Sequence, residues 1–371
     1  MLAGEELLAW VTLTRTPSLN PTVLAGALDV FGSALGIVTA TERSLESAGI
    51  ASKARQFLTR TTNPGAAAAR KWLEHPGHHL LPCIDAQYPA LLRSSGHGPI
   101  ALYVAGNPAV LNDPQLAIVG ARNPTPQGRA TAFDFAAQLA ARGLTITSGL
   151  AEGIDGAAHR GALSSRGITV AVLGSGIDII YPRCNLSLSA EIELQGALVS
   201  EFPPGTAPRQ GNFPQRNRII AALSLGTLVV EAARRSGSLI TARLAGDHGR
   251  ELFAIPGSIH NPLSRGCHEL IRQGAKLTET ADDILSELNF SAFFSLAEQA
   301  PAVAGAAPGM DKERKILLDA LGFDPADLDA LVVRTGFKPE AVSSMMLILE
   351  LEGHVQAAPG GCYSRVVRSR R

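Results

Sequence analysis

Between residues 110 and 290 the chain alternates short apolar runs with longer stretches whose apolar positions recur every three or four residues. The short runs predict buried strands at Leu116–Val119, Leu144–Thr147, Thr169–Leu173, Gly196–Ser200, Thr227–Val230 and Glu251–Ile255. The stretches around them predict helices at Arg129–Arg142, Gly153–Ser164, Leu186–Gln195, Asn217–Leu223, Leu239–His248 and His268–Gln273. Strands alternating with helices of this length build βαβ units. The expected fold class is therefore α/β, a Rossmann-like doubly wound parallel sheet.

The two ends have a different texture. Residues 1–105 read as a small helical module, with helices at Glu5–Arg15, Pro21–Val30, Gly32–Thr39 and Leu45–Ala51 and a further stretch ending in Lys71–Glu74. Pro17, Pro21, Gly32 and Asn63-Pro64-Gly65 punctuate it. Its size suits a helix-hairpin-helix type of binding domain or a docking cap. Leu80–Leu92 and Ile100–Val104 read as extended chain entering the next domain, residues 106–296. Residues 297–310 have linker composition (AEQAPAVAGAAPG over 297–309). In 311–371, helices at Lys312–Leu321, Pro325–Val333 and Pro339–Leu351 precede a hairpin across Pro359-Gly360-Gly361, the order of a winged helix.

Composition excludes several classes. The four cysteines (Cys83, Cys184, Cys267, Cys362) form no CxxC pair, so neither a disulfide scaffold nor a zinc site is expected. The N-terminus, MLAGEELLAW, is acidic where a secretory signal is basic, and no apolar run approaches the ~20 residues of a membrane span. A cytoplasmic protein without membrane contact is expected, with no metal and no cofactor. The formal net charge is zero, so global electrostatics announce no nucleic-acid partner. Its distribution says more: Gln115–Ala275 holds fifteen arginines, eleven carboxylates and no lysine. Arginine presents a planar fork suited to phosphate.

Ligands of a doubly wound sheet bind beyond the carboxyl ends of its strands. The first such loop is Gly120-Ala121-Arg122-Asn123-Pro124-Thr125, where a glycine admits an anion to the backbone and an arginine follows. The second, Ser148-Gly149-Leu150-Ala151-Glu152-Gly153, opens a helix whose amides suit another phosphate. The third, Gly174-Ser175-Gly176-Ile177-Asp178, leads to Tyr181-Pro182-Arg183-Cys184-Asn185. None spells GxGxxG, and the prolines of the first forbid immediate entry into a helix, which argues against a dinucleotide enzyme.

The densest constellation is Asn212-Phe213-Pro214-Gln215-Arg216-Asn217-Arg218. Guanidinium forks and a helix N-terminus take phosphates, and an aromatic face stacks a base, the combination that single-stranded DNA needs. The competing account makes Phe213 a loop anchor and places Arg216 and Arg218 in ion pairs with Glu201 or Glu231. Ser236-Gly237-Ser238 opens another helix, as an anion cradle or a simple N-cap.

Seven motifs in order, VGAR, SGLAEGIDGAAH, VLGSGIDIIYPRCN, SEFPPGT, FPQRNRIIAALS, VVEAARRSGSLITA and GRELFAIPG, resemble the DNA-processing protein A (Smf) family over roughly Leu80–Ala275. The C-terminal LELEGHV and PGGCYSRV segments fit that family's winged helix, and the N-terminal helices its sterile-alpha-motif-like domain. The resemblance implies a homodimeric, non-enzymatic single-stranded DNA binder. It implies protection of incoming DNA during natural transformation and help in loading RecA. Carried over, the DNA-binding residues are Gly120, Arg122, Ser148, Gly149, Arg183, Phe213, Arg216 and Arg218. Asn217, Ser236, Gly237 and Ser238 complete the site, and His268, Leu270 and Ile271 are the expected dimer contact. Ala121 stands where relatives commonly have serine, and Gln210 where many have lysine, with Arg209 beside it expected to compensate.

Two other readings compete. Gly226, Thr227 and Glu231 faintly resemble the GTxxE pattern of Rossmann-like phosphoribohydrolases, with three residues and not two before the glutamate, and Ser224-Leu225 replaces that pattern's glycine pair. Glu231 is instead expected to fix Arg216 or Arg218, or to cap the SGS turn. A transcription factor reading through the winged helix meets an acidic, apolar third helix (Lys338, Glu340, Glu350, Glu352), ill suited to a major groove. The basic tail, Arg365, Arg368, Arg370 and Arg371, suits non-specific phosphate contact or a solvated end.

Overall fold

The computed structural model describes residues 4–59, 66–288, 312–321, 326–339, 342–343, 345–346, 349, 355–358 and 362–365. The expected linker, residues 297–310, the loop 359–361 and the tail from residue 366 lie outside the described residues. Two compact units divide the chain, Met1–Leu296 and Ala297–Arg371.

The first unit opens with helices α1 (Gly4–Arg15), α2 (Pro21–Phe31), α3 (Ala34–Thr39), α4 (Glu42–Ser47), α5 (Ser52–Leu58) and α6 (Ala66–Leu73). Asn20, Ser33 and Thr41 cap α2, α3 and α4, each accepting a backbone N–H of the first turn. Glu6 accepts from both Ala34 N and Leu35 N at 2.9 Å, tying α1 to the start of α3. These helices enclose Trp10, Leu13, Leu24 and Ile37, and the same cluster continues into Leu80, Tyr103, Ala171 and Leu198 of the sheet. The module thus shares one core with the sheet it covers.

That sheet has the order β1-β2-β6-β5-β4-β3-β7-β8-β9. Its strands are β1 (His78–Pro82), β2 (Ala101–Gly106), β3 (Gln115–Val119), β4 (Thr145–Ser148), β5 (Thr169–Val172), β6 (Ala197–Ser200), β7 (Gly226–Val229), β8 (Glu251–Ala254) and β9 (Lys276–Leu277). From β6 to β9 every neighbouring pair is parallel, and β1 and β2 extend the far edge antiparallel. Residues 78–106, read from sequence as the tail of the helical module and its exit, therefore belong to the sheet. The division expected after residue 105 falls inside β2. Strand order reverses between β3 and β7, which makes their carboxyl ends the switch point where a crevice opens.

The other α-helices among the unit's described residues are α7 (Ala90–Ser94), α8 (Pro126–Ala140), α9 (Ile154–Ser164), α10 (Leu186–Gln195), α11 (Asn212–Leu223), α12 (Gly237–Asp247), α13 (Arg265–Arg272) and α14 (Ala281–Glu287). Helix α11 starts five residues earlier than Asn217, because Pro214 sits in its first turn, where a missing N–H costs nothing. Thr125 caps α8, so the prolines of the first loop delay that helix and Pro126 then starts it.

The second unit contains α15 (Lys312–Leu321), β10 (Ala326–Asp327), α16 (Leu328–Thr335), β11 (Val355–Ala358) and β12 (Cys362–Arg365), with sheet order β10-β12-β11. The expected helix Pro325–Val333 is corrected to a short strand followed by α16. Asp327 accepts from Ala330 N at 2.7 Å and makes the switch. Leu317, Leu321, Leu331, Val342, Met346, Leu349 and Val355 form its core, the winged-helix arrangement. The third helix is described only at some positions, and there the apolar Val342, Met346 and Leu349 face inward.

Candidate nucleic-acid interface

A cavity of about 490 Å³ opens at the switch point, lined by Gly120 and Arg122 after β3, Asp155 of α9, Phe213, Arg216 and Asn217 of α11, and Ser236–Ser238 before and within α12. A second, smaller cavity of about 110 Å³ shares Arg122, Tyr181, Phe213 and Arg216 with it and adds Gly149 and Glu152. The segments that follow five strands, β3 to β7, thus supply one surface.

Arg122 is exposed, and among the described residues it makes no ion pair. Its guanidinium carbon lies 5.5 Å from the centroid of the Phe213 ring, over which it sits as a cation. Tyr181, 49 % exposed, tilts 43° to Phe213 with ring centroids 5.7 Å apart. A Cβ on Gly174 would come within 2.7 Å of the Phe213 ring, so glycine at the start of the third loop lets that ring sit against the backbone. Together these groups offer a free cation and two apolar faces at the mouth of a helix-lined crevice, suited to a phosphate and a flat ring.

Arg216 has another task. It is buried, and its Nη1 donates to Gly149 O at 2.5 Å and to Val172 O, clamping the carboxyl ends of β4 and β5. Its Nε donates to Asn217 Oδ1 at 3.2 Å. Burial pushes its pKa down to about 10, against the attraction of Asp155. Asp155, which accepts from Gly149 N and Ala151 N, is pushed up by its own burial while Arg216 pulls the other way. Arg216 is thus a buried brace that also lines both cavities, and much of its fork is committed to protein carbonyls.

Arg218 leaves the site altogether. It pairs with Glu201, whose side chain is 8 % exposed, and donates to His97 O. Burial pushes the Glu201 carboxyl up, and Arg218 and Gln215 oppose this. The ion-pair account weighed from sequence holds for Arg218, with Glu201. Glu231 does not fix either arginine: its two oxygens accept from Thr125 N at 2.8 Å and Thr125 Oγ1 at 2.7 Å, beside a different cavity.

The other expected residues divide. Ser148 is buried and donates to Ile118 O at 2.6 Å, a cross-strand tie that reaches neither cavity. Arg183 and Arg209 are exposed but line neither, whereas Gln210 does, so Arg209 does not take the place of a lysine at the cavity wall. Ser236 both caps α12, accepting from Ser238 N at 3.3 Å, and lines the larger cavity. Of the expected dimer contacts, Leu270 is 5 % exposed and packs mostly into the core. His268 bonds Gly257 O at 3.0 Å, and Ile271 is half-buried. Sequence reasoning missed Tyr181, Asp155 and Glu152. For Tyr181 a signal existed, an aromatic residue in the loop after the third strand.

Fold and site define a class: a Rossmann-like α/β protein whose switch-point crevice is equipped for an anionic ligand carrying planar rings. The chain belongs to the DNA recombination-mediator protein A family, whose model matches residues 79–289, and residues 299–361 match the DprA winged helix domain. It is 45 % identical over 302 residues to Protein Smf of Escherichia coli K12, covering 80 % of each chain. It is 39 % identical to DNA processing protein DprA of Bacillus subtilis, covering 78 % of this chain and 91 % of that one. Among solved structures, DNA processing protein A of Streptococcus pneumoniae superposes with a TM-score of 0.66 at 34 % identity, over 77 % of this chain and 99 % of that one. The Helicobacter pylori protein, whose structure concerns its single-stranded DNA binding mode, gives 0.53 at 30 % identity over 58 % of this chain and 98 % of that one. Among the described residues no helix is long and apolar enough to cross a membrane.

Proposed function

We propose that this chain binds single-stranded DNA at the switch-point crevice, and that it acts there as a recombination mediator and not as a catalyst. The observation that carries the reading is Arg122 held unpaired over the Phe213 ring, with Tyr181 beside it. A phosphate meets the guanidinium while a neighbouring base stacks on an aromatic face, contacts open to a strand whose bases are splayed and closed to a paired duplex. The helix α12 N-terminus, with Ser236 and Ser238, takes a further phosphate. Protection of incoming strands in natural transformation, delivery of the coated strand to RecA, and assembly as a homodimer around His268 and Ile271 complete the proposal. The membership of the family supports them. The phosphoribohydrolase alternative loses ground, because both oxygens of Glu231 are bonded to Thr125. A gel-shift titration of the full chain with single-stranded and duplex DNA tests the reading: the single strand should bind more tightly, and equal or reversed affinities would sink it.

A further inference from the structure

The smaller cavity carries a group that phosphate binding leaves without a role. Glu152, in the turn between β4 and α9, lines it together with Arg122, Tyr181 and Phe213. A fixed carboxylate repels a phosphate, so its presence there works against a purely backbone-binding surface. Glu152 is exposed, and among the described residues it has no ion-pair partner. One oxygen accepts from the Cys184 thiol at 3.4 Å, a weak donor, which leaves the carboxylate most of its accepting capacity. The groups around it include two aromatic rings whose centroids lie 5.7 Å apart, the exposed Arg122 guanidinium and the buried Arg216 brace. Flat faces and an unspent acceptor suit a nucleobase rather than its phosphate.

We infer that this cavity is a base-reading subsite in which Glu152 favours guanine, an inference that rests on the single-stranded DNA reading above. A base lying against Phe213 or Tyr181 turns its Watson–Crick edge to the carboxylate. Guanine presents two adjacent donors there, N1–H and the 2-amino group, which match the two oxygens of a carboxylate. Adenine and cytosine set one amino donor beside a ring-nitrogen acceptor, which the carboxylate repels. Thymine offers one N–H between two carbonyls. A bidentate pair of this kind discriminates by about tenfold or more. Arg122 contributes to binding whatever the base, so preference and affinity are carried by different side chains.

The test compares short strands of alternating thymine and guanine with the same strands carrying hypoxanthine for guanine, which deletes only the 2-amino group. Binding of the full chain is read by fluorescence anisotropy. The guanine strand should bind several-fold more tightly, and Glu152→Ala and Glu152→Gln should bring the two strands together. Equal binding of the two strands by the native chain overturns the subsite, and this result depends on no variant folding. A preference that survives both substitutions overturns the role of Glu152. Failure of the native chain to bind any single strand would instead remove the function on which the inference rests, a distinct outcome.

Discussion

At the scale of single residues, Arg122, Arg216 and Arg218 share one chemistry yet have unlike roles, and burial and the groups around each decide which. Arg122→Ala removes an exposed cation, so it should weaken binding of every single strand and lower the slope of log affinity against log salt by about 0.7. Thermal stability should hardly change, and a binding titration at several salt concentrations beside a melting curve checks both. Arg218→Ala is expected to do the reverse. It strands the nearly buried Glu201 carboxylate and costs about 1–3 kcal/mol of stability. Burial holds the Glu201 pKa above its unfolded value, and removing Arg218 raises it further. The variant's deficit should therefore be full in base and shrink as falling pH neutralises Glu201, as thermal melts across a pH series would show. A deficit that grows in acid would contradict the pairing.

At the scale of elements, the site depends on how strand ends are held. Arg216 bonds the last carbonyls around β4 and β5, so Arg216→Lys, which keeps the charge but loses the fork, should lower both stability and affinity. A melting temperature unchanged from the native chain would show that the brace is dispensable. Gly149 makes room for that brace: a Cβ there would lie 2.4 Å from the guanidinium. Most elements were legible in the sequence, because strands buried on both faces read as unbroken apolar runs and caps such as Thr125 are local. Strands β1 and β2 were harder to place. A short run such as His78–Pro82 says nothing of which strand it will pair with, and it joins the sheet edge through β2, whose own other partner is the distant β6.

At the scale of the molecule, the helical module and the sheet share one core, since a single cluster joins Trp10 to Leu198. Buried ionisable groups in its interior then link the whole fold to pH. His159 is fully buried, its Nδ1 bonded to Thr169 Oγ1 at 2.7 Å, and burial with the Arg216 charge pushes its pKa down to about 3. The unfolded chain takes a proton near about pH 6.5 that the folded chain refuses. This residue's contribution is thus complete at neutral pH and lost as pH falls toward about 3, by at most about 1.4 kcal/mol per pH unit. Replacing it with Gln should flatten the stability profile between about pH 6 and pH 4, measured by chemical denaturation.

The sequence alone determined the doubly wound architecture, the loops in which the site would lie and the family. Hydrophobic periodicity, turn chemistry and contiguous motifs are properties of neighbouring positions. It singled out Phe213 and Arg122 as well, because each sits in a short motif beside a strand end. Only the tertiary structure decided that Arg216 is a brace, that Arg218 pairs with Glu201, that Leu270 faces the core, and that Tyr181 and Glu152 reach the crevice. Those outcomes depend on burial and on groups separated widely along the chain, 67 positions between Gly149 and Arg216. An arginine's chemistry is the same in every motif. What surrounds it after folding decides whether it meets solvent, a carboxylate or a backbone carbonyl.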